Sequence, residues 1–592
     1  METKGFTTVI NLEKKLLEVN PALADKPGSN LFFKTMRRLF REKEINKFID
    51  KNQHLRGFAF LDKVLQHFNF TFEATAKSYD NIPAEGKVII VANHPIGSLD
   101  GLALLKMVRS VRHDVKVVAN EVLSQVKPLQ SLLLPVELMS GRAAFRSQLE
   151  SMIQVLENEH ALIIFPSAEV SRIKPNGVRD GKWKTGFLKL ARRTGSPVLP
   201  VFVEAKNSAL FLNSMSTIYK PLGTAMLVHE MFNKENKQLK IHVGSPIPVS
   251  EFTGTGLADK RIAKLLKKQL YRLSGKNKLP MFNTVQTIAH PARRKALRDD
   301  LYQAQQLGET DDGKKIFLYD YEPDSPVIHE IGRLRELSFR SVEEGTGNSM
   351  DIDKYDSYYR HLVLWDENDL EIVGAYRIGE CATIVKEKGL DGLYSSTLFK
   401  FEETFVDHLP KAIELGRSFV QPRYWGKRSL DYLWFGIGAY LRHNPKIKYL
   451  FGPLSLSQAY SRPPTELILS FYNQQFSAKP KMASALKPFE LTPQVLAIAN
   501  EDFADDYKSS YKRLNKKLKH YGVKVPTLYK QYSEVCKPGG CQFIAFNIDA
   551  EFNYCIDSLI LVDLEQIKEK RKKRYLGEIS NENKSIEEKK TA

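Results

Sequence analysis

Short apolar runs of strand length alternate with helical stretches along the first 270 of the 592 residues. The runs that read as strands are 87–92, 115–119, 161–165, 198–203 and 238–244, and the helices are 102–112 and 148–157. Strands separated by helices predict an α/β domain built on a largely parallel sheet. A basic helix at 258–273 is expected to close this unit.

A second α/β pattern follows a looser stretch at 276–315. It contains the helix 327–340, the strands 315–319, 361–365, 372–377 and 412–420, and a strand-turn-helix that ends at 430–442. This order predicts a mixed sheet. The predicted domains are a helical region at 1–80, an α/β domain at 81–300, a second α/β domain at 301–570 and a charged, disordered tail at 571–592.

The positive net charge of the chain indicates what kinds of partner it could bind. The chain has 88 Lys and Arg against 69 Asp and Glu, a formal net charge of +19. Nucleic acid, anionic lipid and an acidic protein all suit this charge. No basic segment lies in a recognisable nucleic-acid module, so nucleic acid is not expected. The helix 258–273 interleaves cations with Leu265, Leu266 and Leu270, which indicates either a helix on an anionic bilayer or a solvated basic face.

The cellular compartment is predicted from what the sequence lacks. There is no signal-peptide core, no apolar stretch of about 18 residues that would span a membrane, and only four cysteines. We therefore expect a soluble or membrane-surface protein in a reducing, intracellular compartment. Cys536 and Cys541 lack a second Cys/His pair with zinc-ligand spacing, so no metal site is expected.

A histidine follows directly after the first strand of the parallel pattern. The segment 92–101 reads Ala-Asn-His-Pro-Ile-Gly-Ser-Leu-Asp-Gly, and open α/β sheets bind ligands where strands end. Asp100 begins the next helix and can hold the His94 imidazole, which would make His94 a general base toward an alcohol. A helix-capping Asp beside a structural His is the alternative reading.

The wider pattern resembles the glycerolipid and lysophospholipid acyltransferase family over residues 80–250. Phe165-Pro-Ser-Ala-Glu169 follows a later strand, and a strand containing Pro200 comes after it. The resemblance implies that His94 deprotonates the acceptor hydroxyl and that Asp100 orients it. Five residues separate the pair where the family has four, which leaves the acceptor open.

Three further positions take their roles from this resemblance. Glu169 is expected to shape the acceptor pocket, and Arg142 and Arg146 are expected to occupy the basic position of the family's second motif. Ala168 stands where the family most often has Gly. The segment 177–188 reads as a loop that enters a basic helix, with contact to a lipid head group as the alternative.

The second α/β pattern carries charged residues at spaced positions. They are Arg335, Phe339, Asp353, Asp356, Arg377, Glu414 and Arg417. The turn 421–429 joins a strand to a helix, which is a general anion site. This part resembles the GNAT acetyltransferase fold, in which that turn binds the pyrophosphate of coenzyme A or the phosphopantetheine of acyl carrier protein.

The spacing of these charged residues resembles the acyl-homoserine-lactone synthases and, more closely, the N-acyltransferases that make lyso-ornithine lipid. The resemblance implies Glu414 as base, acting directly or through water, and Arg377 and Arg417 as anion contacts. Asp353 and Asp356 would bind the amino-acid cation. For any single residue of the set, a surface salt bridge is the alternative.

Both patterns in this order resemble the bifunctional ornithine-lipid synthases. The resemblance implies transfer of a 3-hydroxyacyl group to the α-amine of an amino acid, then esterification of the lyso-lipid hydroxyl. Acyl carrier protein or coenzyme A would carry the acyl thioester as co-substrate, with no bound cofactor. The alternatives are a lysophosphatidic-acid-type acyltransferase whose C-terminal domain has a separate or lost activity, and a membrane-binding protein with vestigial sites. The identity of the amino acid, the chain length and the oligomeric state stay open.

Overall fold

The computed structural model describes residues 13, 17, 21–25, 28–39, 41–97, 99–120, 126–136, 142–174, 177–204, 238–275 and 280–577. The chain forms two compact units, Met1–His290 and Pro291–Ala592. The limits predicted for the two α/β domains, 81–300 and 301–570, stay predictions.

The first unit is built on a seven-stranded sheet in the order β1-β9-β8-β2-β5-β3-β4, with β6 and β7 as a separate hairpin. Its strands are β1 Thr71–Glu73, β2 Val88–Ala92, β3 Val115–Asn120, β4 Leu133–Val136, β5 Ala161–Ile164, β6 Arg172–Lys174, β7 Gly177–Arg179, β8 Val198–Glu204 and β9 Gln238–Val243. Its helices are α1 Ser29–Leu39, α2 Glu42–Lys51, α3 Gly57–His67, α4 Ala76–Asp80, α5 Leu99–Arg109, α6 Arg142–Glu157, α7 Gly186–Thr194 and α8 Asp259–Arg272.

The largely parallel sheet predicted from the sequence is confirmed, as the pairing of its central strand β2 shows. It pairs in parallel with β5 and β8, while β9 runs antiparallel to β8. Ile90 packs into the core on one face of the sheet, and Ile89 and Val91 pack into the core on the other. Both faces of β2 are therefore covered, which is why its sequence is continuously apolar.

Several boundaries and one orientation differ from the predictions. Helix α5 begins at Leu99 rather than 102, α6 begins at Arg142 rather than 148, and the expected helical region contributes strand β1 to the sheet edge. On α8, Leu266 and Leu270 are fully buried in the core, and Leu265 packs against it. The prediction that these leucines face a bilayer is wrong, because the sheet covers the apolar face of the helix.

The second unit is built on an eight-stranded sheet in the order β10-β11-β12-β13-β15-β16-β19-β18, and β14 and β17 pair separately. Its strands are β10 Gln305–Glu309, β11 Lys315–Tyr319, β12 Arg360–Asp366, β13 Glu371–Glu380, β14 Phe399–Phe401, β15 Ala412–Val420, β16 Tyr449–Leu456, β17 Ala483–Ala485, β18 Cys541–Asp549 and β19 Cys555–Asp563. Its helices are α9 Arg294–Leu301, α10 Pro326–Arg340, α11 Cys381–Lys388, α12 Glu403–Val406, α13 Ser429–His443, α14 Arg462–Phe476, α15 Pro493–Asp502, α16 Tyr507–His520, α17 Thr527–Val535 and α18 Glu569–Leu576.

The predicted mixed sheet is confirmed, and its parallel pair is β15 with β16. Their pairing ends at Glu414 opposite Phe451, although both strands continue beyond these residues. Beyond that point the two strands are no longer paired, so a cleft opens between them. Helix α13 packs on one face of this sheet and α10 on the other.

The predicted disordered tail begins too early. Residues 569–576 form α18, and its Tyr575 is buried against α13, where Gly438 leaves no room for a Cβ beside the Tyr575 carbonyl. The rest of the predicted tail, from 578, lies outside the described residues. Among the described residues, no helix combines the length and the apolar character needed to cross a membrane.

Candidate active sites

The first site lies at the carboxyl end of β2. The buried Asn93 side chain extends the ladder to β8, because its Nδ2 donates to the Val203 carbonyl at 2.9 Å and its Oδ1 accepts from the Val203 amide at 2.7 Å. The next residue is His94. Phe165 follows β5, the neighbouring strand, and its ring stacks on the imidazole at 4.1 Å between centroids. The two sequence motifs therefore meet at one edge of the sheet.

His94 and Asp100 are paired as the sequence predicts. Nδ1 of His94 lies 3.1 Å from Oδ2 of Asp100, which also accepts the amides of Ile96 (2.9 Å) and Gly97 (3.3 Å). A carboxylate can only accept here, so we place the imidazole proton on Nδ1 and leave Nε2 as the basic nitrogen. The His94 side chain is 19% exposed and that of Asp100 is fully buried.

The charges of this pair support each other. Burial lowers the pKa of His94, but Asp100 through its charge and hydrogen bond, and Asp180 through its charge, raise it above the usual value. Burial likewise raises the pKa of Asp100, but His94 and the two backbone amides outweigh it and lower that pKa. Asp100 stays ionised, and His94 is a stronger base than a free histidine.

The other residues predicted for this site are less closely involved. Glu169 is exposed beyond β5, where its carbonyl accepts from Ser167 Oγ at 2.5 Å. Arg146 is exposed on α6, and the side chain of Arg142 lies outside the part of the chain that the structure describes. Their roles stay predictions.

The second site begins with a buried ion pair under the sheet of the second unit. Nη1 of Arg335 on α10 lies 2.7 Å from Oδ1 of Asp356, and both side chains are at most 1% exposed. Nη2 of Arg335 also lies 3.3 Å from Nδ1 of His361. Burial and the charge of Arg335 lower the pKa of His361 to about 3, so this imidazole stays neutral.

Two further arginines extend this ion pair through Asp353 and Asp351. Arg377 on β13 contacts Asp353 at 2.6 Å and Asp356 at 3.3 Å. Arg417 on β15 contacts Asp353 at 3.2 Å and Asp351 at 3.0 Å. Three arginines and three aspartates thus form one network. The arginines predicted to contact a substrate anion are therefore paired with the aspartates predicted to contact a substrate cation.

This pairing corrects the role predicted for Asp356. Its carboxylate is 1% exposed, and although burial opposes it, Arg335 and Arg377 hold its pKa far below the usual range. It is already neutralised and enclosed, so it supports the arginines rather than contacting a substrate cation. Asp353 is 24% exposed and remains accessible.

The Arg377 guanidinium is enclosed by aromatic rings. Its carbon lies 5.7 Å from the ring centre of Tyr355, 5.2 Å from that of Tyr359 and 5.3 Å from that of Tyr394. Among the described residues, Nε and Nη2 of Arg377 have no hydrogen-bond partner, although the side chain is 1% exposed. Buried donors without partners are rare, so these two atoms are candidates for contact with a ligand or a water.

Glu414 on β15 is buried and fully engaged. Oε2 accepts the Tyr359 hydroxyl and the Tyr394 amide (3.1 Å), and Oε1 accepts the Ser395 amide (2.6 Å) and the Ser395 hydroxyl. Four donors thus surround a carboxylate that is 1% exposed. Both oxygens of Glu414 are therefore occupied by hydrogen bonds within the second unit.

The cleft between β15 and β16 is lined by residues that include Leu415, Arg417, Leu454 and Tyr532. The register of β13 against β15 shifts at Arg417, whose φ of 49° is rare for a residue with a side chain. This bulge re-aims the Arg417 side chain. Such conformations persist where the surrounding structure holds them, which is common at functional sites.

Phe339 is connected to this site through the ring of Phe552. It meets Phe552 edge-on at 6.0 Å, and the Arg417 guanidinium lies 4.3 Å from the Phe552 ring centre. All seven residues predicted from the spacing therefore lie in or beside one network.

Comparison with known proteins matches a family model to each half of the chain. Residues 14–279 match a family model described as acyltransferase, and residues 334–435 match the acetyltransferase (GNAT) domain. The chain is 32% identical over 306 residues to the glycine N(alpha)-acyltransferase of Phocaeicola vulgatus. These 306 residues cover 49% of this chain and 93% of that protein. The chain belongs to the Nα-acyltransferase family.

Two other relatives match smaller parts of the chain. The lyso-glycine lipid O-acyltransferase of Bacteroides thetaiotaomicron is 28% identical over 225 residues, 37% of this chain and 80% of that protein. The L-ornithine N(alpha)-acyltransferase of Rhizobium meliloti is 33% identical over 164 residues, 26% of this chain and 53% of that protein. The protein is an acyltransferase with an N-terminal acyltransferase domain and a C-terminal GNAT domain, as the sequence patterns predict.

Sequence reasoning missed the residues that hold the N-acyltransferase site together. Tyr359 and Ser395 bind Glu414, and Asp351 binds Arg417. Asp351 carried a signal, since it lies two residues before Asp353. Tyr359 and Ser395 carried none, because each meets Glu414 only through the folded sheet.

Proposed function

We propose that this chain synthesises an amino-acid lipid in two steps, one in each unit. The observation that carries the proposal is a separate, complete site in each unit. His94 with Asp100 provides a base for a hydroxyl, and the Arg377–Arg417 network beside a cleft provides an anion site next to Glu414. The relatives, which N-acylate an amino acid or O-acylate a lyso-lipid, support both halves.

The first step is N-acylation in the second unit. The substrate carboxylate binds Arg417, the more exposed arginine of the network, and Asp353, its exposed aspartate, faces the ammonium. Glu414 takes the ammonium proton through a bridging group, because its own oxygens are occupied. The free amine then attacks the carbonyl of a 3-hydroxyacyl thioester, the C–N bond forms, the C–S bond breaks, and the thiol leaves. The departing thiolate takes up the second proton of the nitrogen, so that it leaves as the thiol, and Glu414 returns its proton to solvent.

The thioester is delivered to the cleft between β15 and β16. The apolar side chains that line this cleft, Leu415 and Leu454 beside Tyr532, suit an acyl chain or the apolar part of a pantetheine arm. We propose acyl carrier protein as the donor, because the chain carries a net charge of +19 and the carrier is acidic. Coenzyme A is the alternative donor, and steady-state rates with matched acyl thioesters of the two carriers separate them.

The second step is O-acylation in the first unit. Nε2 of His94 removes the proton from the 3-hydroxyl of the lyso-lipid, and the oxygen attacks a second acyl thioester. The C–O bond forms, the C–S bond breaks, and the proton moves from His94 to the departing thiolate. Asp100 keeps the imidazole in the required tautomer throughout. Glu169, Arg142 and Arg146 are proposed to contact the acceptor.

We propose glycine as the amino acid. The chain is 32% identical to the glycine enzyme over 93% of that enzyme, but 25% identical to the L-ornithine N(alpha)-acyltransferase of Rhodobacter capsulatus over 92% of that enzyme. Expression in a host that lacks such lipids, followed by mass spectrometry of its lipids, tests this. A glycine lipid is the expected product, and an ornithine lipid would correct the substrate. Altered phospholipid acyl chains alone would indicate a lysophospholipid acyltransferase, and an unchanged lipidome would contradict both steps.

We also propose a peripheral attachment to an anionic membrane surface, where the lyso-lipid resides. Each Lys or Arg near such a surface contributes about 1 kcal/mol, and salt screens this attraction. A wash with high salt or alkaline carbonate should therefore release the protein from membranes without detergent. Retention through both washes would contradict an electrostatic attachment.

A further inference from the structure

A second buried carboxylate holds the main chain of His94. Asp180 follows β7, is fully buried, and accepts three hydrogen bonds: from the His94 amide at 3.3 Å, from Ser171 Oγ at 2.6 Å and from Trp183 Nε1 at 2.8 Å. The amide of Ser171 in turn donates to the His94 carbonyl at 2.9 Å. The peptide groups on both sides of His94 are thus fixed through Asp180 and its partner Ser171.

Asp180 is itself anchored by helix α8. Its amide donates to the Tyr271 hydroxyl at 2.8 Å, and Nζ of Lys267 donates to its carbonyl at 2.7 Å and to that of Gly181 at 2.5 Å. The Arg179 guanidinium lies 4.1 Å from the Tyr271 ring centre. The basic helix therefore positions the loop that carries Asp180.

We propose that Asp180 is a positioning residue of the O-acylation site, which sets the place of the His94 backbone and thereby the aim of its imidazole. The proposal rests on the proposed function of the first unit. Asp100 orients the ring of His94 and Asp180 fixes its main chain, so the two carboxylates act at different atoms. A general base must lie within hydrogen-bond reach of the proton that it removes, so a small displacement of the backbone lowers the rate.

The charge of Asp180 has a second effect on His94. Burial lowers the pKa of His94, Asp100 raises it most, and Asp180 adds to that increase. The charged and titratable groups packed around this loop are Asp100, Arg179, Lys267 and Tyr271. Loss of the Asp180 charge should therefore lower the pKa of His94.

Asp180→Asn in the full-length protein is the main test. Asparagine keeps the size of the side chain, but its Nδ2 donates and cannot accept. Depending on how the amide is turned, Nδ2 faces either the donor of Trp183 or the donors of Ser171 and His94. With synthetic lyso-lipid as acceptor, we expect kcat to fall about 10- to 100-fold and KM to change by less than about 3-fold. The acidic limb of the pH profile should move to lower pH.

Asp62→Asn is the matched control, because Asp62 pairs with Lys106 and Arg109 on the surface of the same unit. Its kcat and pH profile should equal those of the wild type. If Asp180→Asn fails to fold by thermal melting, Ser171→Ala and Trp183→Phe decide, since each removes one donor. We expect each to lower kcat about 3- to 10-fold at unchanged KM.

A chemical titration of His94 tests the role of Asp180 independently of the proposed O-acylation activity. Diethyl pyrocarbonate modifies neutral imidazole, and mass spectrometry of the His94 peptide follows the reaction against pH. The midpoint should be lower in Asp180→Asn than in the wild type. If wild-type protein O-acylates no lyso-lipid, the proposed function fails and this titration alone decides. An unchanged kcat and an unchanged midpoint in the folded variants would overturn the role of Asp180.

Discussion

Gly452 on β16 is where a single methyl group should distort the cleft that we propose for N-acylation. A Cβ on Gly452 would overlap the carbonyl oxygen of Leu415 and lie 3.1 Å from its carbonyl carbon. Leu415 is the first residue of β15 beyond the last paired position, Glu414. Gly452→Ala must therefore move the two strands apart at the root of the cleft.

The size of the effect follows from this geometry. Relief of the overlap needs a shift on the order of 1 Å, and a displacement of that size can lower a rate about 100-fold. Leu415 lies two residues before Arg417, whose contacts to Asp351 and Asp353 at 3.0 and 3.2 Å would lengthen. Overpacking should also lower the free energy of unfolding by about 1–3 kcal/mol.

The assay compares two glycines of the same cleft. N-acylation is followed with amino acid and acyl thioester, and O-acylation with synthetic lyso-lipid. Gly452→Ala should lose about 100-fold in kcat/KM for N-acylation and keep the wild-type rate of O-acylation. Gly416→Ala is the control, because a Cβ there meets no atom within 4 Å. A wild-type rate in Gly452→Ala, or an equal loss in Gly416→Ala, would refute the reasoning.

Three further single variants, one double variant and one pH profile test the remaining roles. His94→Ala should lower O-acylation about 10²- to 10⁴-fold and let lyso-lipid accumulate, and mass spectrometry showing diacylated lipid at the wild-type rate would contradict this. Because the pKa of His94 is raised and its neutral form is the base, wild-type O-acylation should fall on acidification at a pH above that of an ordinary histidine; a limb at or below that pH in kcat/KM profiles would argue against the pairing with Asp100. Glu414→Ala should abolish lyso-lipid formation, and added synthetic lyso-lipid should restore diacyl product; absence of that rescue in folded protein would argue against two separable sites. Arg335→Met should cost about 3–5 kcal/mol in urea unfolding of the second unit, because Asp356 keeps its buried charge, while the double variant with Asp356→Leu should recover most of this loss.

Much of the fold and of the first site could be predicted from local pattern. The apolar runs of β2, β11 and β15 predicted the strands because the sheets bury these segments. His94 and Asp100 could be paired because a single tight turn separates them, so their contact depends on few other residues. The seven spaced residues of the second unit were found by type and order, which a motif preserves along the chain.

The partners within that set depended on the tertiary structure. Asp353 and Asp356 are charged in any fold, but only the register of β12, β13 and β15 places arginines on them instead of solvent. Asp180 is separated from His94 by 86 residues, and no spacing rule connects them. The leucines of α8 have the pattern of a bilayer-facing helix and of a core helix alike, and the sheet beside them decides between the two. The sequence determines which side chains are charged or apolar, whereas contacts between distant segments decide which charges are neutralised and which remain for chemistry.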